Sequence, residues 1–230
     1  MIYIKKSNPP SSLTQALTNT TLGDDDLSSK IKSDIKKSLL AEQGYICAYC
    51  MQRIGLDTGE AGEKTRSEQI TIEHYAAQSS ASGFPLDTDY MNMLGVCSGV
   101  FQSIKNSNKH VQTCDKHRGN TPLTVNPQDE STISQIKYKT SGEIYSDNSA
   151  INNDLNITLN LNSSEAFTKA NRREVINYVY KTVQNAGGKS MRILLELKAK
   201  YERRNSKGEL TPFCGAALYF INKWITEFER

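Results

Sequence analysis

The segment ITIEH, residues 70–74, alternates apolar and polar side chains as a half-buried strand does, and it ends on a glutamate beside a histidine. Only three histidines occur in the chain, at positions 74, 110 and 117. Eighteen residues after His74 stands Asn92, and Asp115 directly follows Cys114. A carboxylate at the end of a strand and a second at the start of a helix can hold a hard divalent cation. A neutral histidine beside that cation can take a proton from water, because its ordinary pKa of about 6.5 suits a general base at neutral pH. The cation would stabilise the charge that builds on an attacked phosphate and on the leaving oxygen. An asparagine can orient the imidazole or join the metal shell. Such a set suffices to hydrolyse a phosphodiester; the competing interpretation is a polar surface turn.

Five cysteines, at 47, 50, 97, 114 and 214, carry a second constellation. CAYC, residues 47–50, supplies two thiolates at a spacing that lets one turn point both sulfurs at a tetrahedral ion. Cys97 and Cys114 would complete a closed four-cysteine zinc site, although the sixteen residues between them are an unusual interval. CxxC also occurs in redox proteins, but YICAYCMQ does not sit in a βαβ pattern. Cys214, within PFCGAALYF, reads as a small buried apolar residue.

The elements that must position these groups follow from pattern and punctuation. Pro9 and Pro10 exclude a helix across that point. Leu27, Ile31, Ile35 and Leu39 recur every four residues and predict an amphipathic helix, capped near Asp24–Asp26 and ended by Gly44. Its lysines form either a solvated face or a phosphate contact. The run GLDTGEAGEKTRSEQ, residues 55–69, reads as a loop or hairpin tip, TDYMNMLGVC as a short helix or turn, and SGVFQSIKNSNKHVQT as loop. Residues 131–161 alternate in strand fashion, with Leu155, Ile157, Leu159 and Leu161 expected on one face. Three helices follow from Ser164 onward, the first with a Ser cap and the third with Pro212 near its start.

CAYC, IEH, DYMNMLGVC and CDKHRGN, in that order, resemble the HNH (ββα-metal) endonuclease motif with its zinc-knuckle cysteines. The flanking stretches MIYIKKSNPPSSL, CDKHRGNTPLTVNP, DLNITLNLN with NRREV, and the late PF segment resemble HNH nucleases of bacterial anti-phage systems, the nuclease subunit of Septu and of Septu-associated retrons. The resemblance implies that His74 is the general base, that Glu73 is a ligand of a catalytic Mg2+ or Mn2+, and that Asn92 is the middle asparagine of the motif. Asp115 stands at the position of the last metal ligand, where His or Asn is commoner, and His117 two residues on is the alternative. Arg118 matches a basic residue expected to touch the scissile phosphate. His110 is expected at the surface. The resemblance also implies a partner, a separate ABC-type ATPase subunit that restrains or directs the nuclease.

Composition sets the outer limits. A chain of 230 residues with 37% hydrophobic and 23% charged residues fits a globular protein, and a net charge of +3 permits nucleic-acid binding without requiring it. No run is long and apolar enough to span a membrane, and the first residues lack a signal-peptide core, so a cytoplasmic location is expected. NAGGKS, residues 185–190, lacks the upstream glycine of a phosphate-binding loop. The expected fold is α+β: an N-terminal arm and helix over 1–44, a zinc-stapled ββα-metal core over 45–127, a β-rich connector over 128–163 and a helical region over 164–230. The expected function is hydrolysis of nucleic-acid phosphodiesters in phage defence. The alternatives are the same site acting on RNA such as tRNA, and a zinc-stapled module that binds nucleic acid or protein without catalysis.

Overall fold

The computed structural model of the protein describes residues 1–19, 23–56, 69–76 and 86–229. Most of the loop expected over 55–69 lies outside the described residues. Helix α1 (Ser11–Asn19) begins directly after Pro10, whose carbonyl accepts the amides of Leu13 and Thr14 at 3.0 and 3.2 Å. The proline pair therefore starts a helix that the sequence did not announce, since the amide a proline lacks is unpaired in a first turn anyway. Helix α2 (Ser29–Gln43) buries Ile35, Leu39 and Leu40 as its periodicity requires. Its cap is Ser28, which accepts from the Ile31 amide, rather than the aspartates, which form a 3-10 turn over Asp24–Asp26. Gly44 ends it at φ 64°, where a side chain would also meet Leu210 at 2.5 Å.

The centre of the molecule is a two-stranded antiparallel sheet of β1 (Ile70–His74) and β2 (Met93–Cys97), with Glu73 opposite Leu94 and His74 opposite Met93. The side-chain amide of Gln43 at the end of α2 accepts from the Gly95 amide and donates to the Gly95 carbonyl, both at 2.7 Å. The free edge of β2 is thereby satisfied by a side chain, and Ala48 adds a third bond to it at 3.0 Å. A 3-10 turn, Tyr90–Asn92, leads into β2. The segment expected to be loop instead forms a hairpin of β3 (Val100–Gln102) and β4 (His110–Gln112), with Phe101 buried. Helix α3 (Cys114–Arg118) completes a strand–strand–helix succession around the cysteines.

After a short α4 (Glu130–Ile133), β5 (Lys137–Tyr138) and β6 (Ile144–Tyr145) pair as a small hairpin. The strand expected over Leu155–Leu161 is a correction. Asn148 caps α5 (Ser149–Asn153), and the chain continues through a π-helical turn over Asp154–Thr158. Leu155 and Leu159 are buried, whereas Ile157 is 66% exposed. The reason is arithmetical: Ile151, Leu155 and Leu159 recur every four residues, a spacing that satisfies both a strand period of two and a helical one. Helices α6 (Phe167–Asn185), α7 (Met191–Glu202) and α8 (Cys214–Phe228) pack on one another. Helix α6 starts at Ala166 without the expected serine cap, whereas Ser190 caps α7. One hydrophobic core runs from Met1 and Ile4 through the sheet to Trp224 and Ile225. Among the described residues no helix is long and apolar enough to cross a membrane.

Candidate active site and metal centre

Cys47 and Cys50 lie in a tight turn in which the Met51 amide donates to the Cys47 carbonyl at 3.0 Å. Cys97 ends β2 and Cys114 opens α3. These three places converge: the four sulfurs lie within 4.8 Å of one another, all buried. Cys50 and Cys97 are 3.8 Å apart, and zinc–sulfur bonds of about 2.3 Å in a tetrahedron give an edge of about 3.8 Å. The four cysteines are free of disulfides and can hold a structural metal ion such as zinc. Burial works against ionisation at Cys47, yet the neighbouring thiols, Cys114 foremost, hold it well below the ordinary thiol range. Hydrogen bonds with Cys47, Cys50 and Cys97 push Cys114 well above it. Gly99 lets the chain turn between Cys97 and the hairpin: it sits at φ +67°, and a Cβ there would lie 2.4 Å from the Thr113 carbonyl.

Glu73 projects into the interior beside this cluster, 6% exposed. Tyr49, one of the two residues between the first two cysteines, donates its hydroxyl to Glu73 Oε1 at 3.0 Å. Arg118, at the end of α3, forms an ion pair with the same oxygen through Nη1. The Asp115 carboxyl, one turn earlier on α3 and partly exposed, faces Glu73 and disfavours its ionised form. Burial first, and Asp115 second, push the Glu73 carboxyl up to about 8, with Arg118 pulling the other way. The two carboxyls thus lie beside a single guanidinium, which pairs with Glu73.

Arg118 is not turned toward solvent to meet a phosphate, as the sequence had suggested. Its side chain is 1% exposed. Nη1 also donates to Tyr49 Oη at 3.1 Å, Nε to the Thr121 carbonyl at 2.8 Å and Nη2 to the Tyr75 carbonyl at 2.5 Å. It braces Glu73 and the strand end from within.

Successive side chains of a strand point to opposite faces, and the His74 ring meets the other side of the sheet. Its Nε2 lies 2.8 Å from the Asp87 carbonyl. A carbonyl only accepts, so Nε2 is the donor, and in the neutral form of the ring Nδ1 is the nitrogen left with the lone pair. Among the described residues the Asn92 side chain bonds neither to that ring nor to a carboxylate. Its amide accepts from the Ala76 amide at 2.7 Å and donates to the Ala76 and Leu86 carbonyls at 3.0 and 2.9 Å. The Asn92 carbonyl also takes the Tyr75 amide at 2.9 Å. Asn92 therefore clips the chain just after His74 to Leu86, next to the Asp87 carbonyl that the ring meets. His117 is exposed, and its Nδ1 faces the Thr158 carbonyl at 3.0 Å, away from Glu73. His110 is exposed on β4.

The structure thus gathers Glu73, Asp115 and Arg118 on one side, and His74 with Asn92 at the strand end. Tyr49 and the Asp87 carbonyl were missed from sequence. Tyr49 carried a signal, lying inside the CxxC itself, whereas a backbone carbonyl carries none. No family model and no curated protein matches the chain.

Proposed function

We propose that the protein is a metal-dependent endonuclease of the HNH type. The observation that carries this is the pairing of the Glu73 and Asp115 carboxyls, braced by Tyr49 and Arg118, beside the four-cysteine cluster. Glu73 and Asp115 hold Mg2+ or Mn2+, which when bound would stabilise the charge that develops on the attacked phosphate and the leaving oxygen. His74, with Nε2 fixed on Asp87, presents Nδ1 as the base that takes a proton from the attacking water. Asn92 and Arg118 act as positioning residues. DNA is the first substrate and RNA such as tRNA the second. The phage-defence role and the ABC-type ATPase partner rest on the sequence resemblance.

One observation favours the second reading, a zinc-stapled module without catalysis: Arg118 already neutralises Glu73. Cleavage of plasmid DNA and total tRNA separates the two. Wild type and His74→Ala are compared with and without Mg2+ or Mn2+, and with and without the ATPase. Metal-dependent cleavage that His74→Ala abolishes supports the nuclease. Zinc-loaded, folded protein that cuts neither polymer under any of these conditions leaves the binding module.

A further inference from the structure

The direction of the His74 ring is set by a backbone atom, the Asp87 carbonyl, which Nε2 meets at 2.8 Å. A backbone carbonyl aims a side chain only if its own peptide is held in place. Two bonds hold this one. On one side the Asn92 amide donates to the carbonyl of Leu86, the preceding residue, at 2.9 Å. On the other, Asp87 Oδ2 accepts the backbone amide of Asp24 at 3.1 Å, across 63 residues of sequence.

Asp24 opens the 3-10 turn Asp24–Asp26, and an amide at the start of such a turn has no partner within it. Asp87 supplies that partner. Gly23 makes room for it, since a Cβ there would lie only 3.2 Å from Asp87 Oδ2. The turn is itself tied down. The Gly23 amide donates to Asp26 Oδ2 at 3.0 Å, and the Asp24 carboxylate pairs with Lys32 of α2 at 3.0 Å. Helix α2 grips the edge of β2 through Gln43. It therefore reaches the sheet directly at its C-terminal end, and reaches His74 from its N-terminal half through Asp24 and Asp87. Ser28 is the cap of α2, so helix capping leaves the acidic GDDD stretch, residues 23–26, without a task.

We propose that Asp87 is a positioning residue for His74: its carboxylate, held by the Asp24 amide, fixes the peptide whose carbonyl aims the imidazole, so that the GDDD turn sets the direction of Nδ1. The consequence for cleavage rests on the nuclease reading; the orientation of the ring does not. The competing role is a cap that steadies the 3-10 turn and leaves the ring alone.

The test compares wild type with Asp87→Ala, Asp87→Asn, Asp24→Pro and Asp24→Ala. Proline suits the first position of a helical turn, and Gly23 is already extended as a residue before proline must be. Asp24→Pro thus deletes the amide that Asp87 accepts; Asp24→Ala loses the same carboxylate and keeps that amide. The first readout is the long-range 1H–15N spectrum of the His74 ring at about pH 8, where an ordinary histidine is neutral, assigned by its loss in His74→Ala. It needs neither metal nor substrate. Wild type should show the Nε2–H tautomer. Asp87→Ala and Asp24→Pro should add a comparable population of the Nδ1–H tautomer. Asp87→Asn, which keeps an acceptor oxygen, and Asp24→Ala should stay near wild type. The second readout is cleavage. Asp87→Ala and Asp24→Pro should lower kcat by up to about 100-fold, the cost of displacing a reacting group by about 1 Å, with KM little changed. A wild-type ring spectrum in Asp87→Ala or Asp24→Pro, whatever the melting temperature, assigns the cap role and overturns the proposal. So does an Asp87→Asn ring as altered as that of Asp87→Ala, or an Asp24→Ala ring as altered as that of Asp24→Pro. If Asp87→Ala does not fold, Asp24→Pro decides. If wild type cuts no polymer, the nuclease reading falls, and the ring spectra still decide this proposal.

Discussion

Arg118 carries one positive charge into a pocket that already holds two carboxyls. Removing it would leave Glu73 buried beside Asp115 without a counter-ion, and breaking a buried pair from one side typically costs about 3–5 kcal/mol. Arg118→Ala should therefore lower the urea midpoint sharply, measured without any substrate; a phosphate-contacting arginine at the surface would leave stability untouched. His74 behaves oppositely. It is partly exposed and bonded through one ring nitrogen, so His74→Ala should leave thermal stability near wild type. It should cut cleavage by about 100- to 10,000-fold, the usual worth of a general base. Burial sets a third expectation, at Cys214, whose thiol it pushes up to about 11. The folded state favours the protonated thiol, so this stabilising contribution is intact below the ordinary thiol value of about 8.5 and fades as pH rises through about 11. Iodoacetamide at pH 8 should label Cys214 only on unfolding. Rapid labelling of the native protein at that pH would contradict its burial.

At the scale of elements, the segment Ser149–Leu161 distinguishes two periodicities. A strand with one buried face would make Ile157 and Leu159 equally costly to truncate. In the helical and π-helical arrangement Ile157 is 66% exposed and Leu159 is fully buried. Leu159→Ala should cost about 2–5 kcal/mol, and Ile157→Ala should stay within about 0.5 kcal/mol, both by denaturant titration. The four-residue spacing left this undecided because four is a multiple of two; Asn148, bonding the amides of Ala150 and Ile151, tips the chain into a helix. The hairpin of β3 and β4 escaped notice for a different reason: its strands are three residues long and offer little periodicity. Helix α2 was legible because capping, spacing and termination agree, and all three are local.

For the whole molecule the consequence is that a metal held by the four cysteines would stand or fall with the core. The cysteines arrive from a turn, a strand end and a helix start, and each of these elements contributes side chains to the single core. Chelation of the metal should therefore lower helical ellipticity at 222 nm in one transition that includes α6, α7 and α8, rather than melting a local knuckle. Two separated transitions would show that residues 164–230 fold on their own. That region carries thirteen Lys and Arg against seven Asp and Glu, whereas the rest of the chain is net acidic. If nucleic acid is the substrate, its backbone would be expected to follow the basic side, with affinity falling steeply as salt rises.

The sequence by itself determined the four-cysteine centre, the amphipathic helices and the Glu–His pair at a strand end, because each depends on residue types at short spacing. Only the tertiary structure decided which groups meet. It brought Asp115 rather than His117 against Glu73, turned Arg118 inward, spent Asn92 on backbone, and enclosed Arg172 against the Gly142 and Leu161 carbonyls. Those outcomes depend on burial and on partners distant along the chain. A residue's type fixes the charge and hydrogen bonds it brings, while packing determines which other groups must satisfy them.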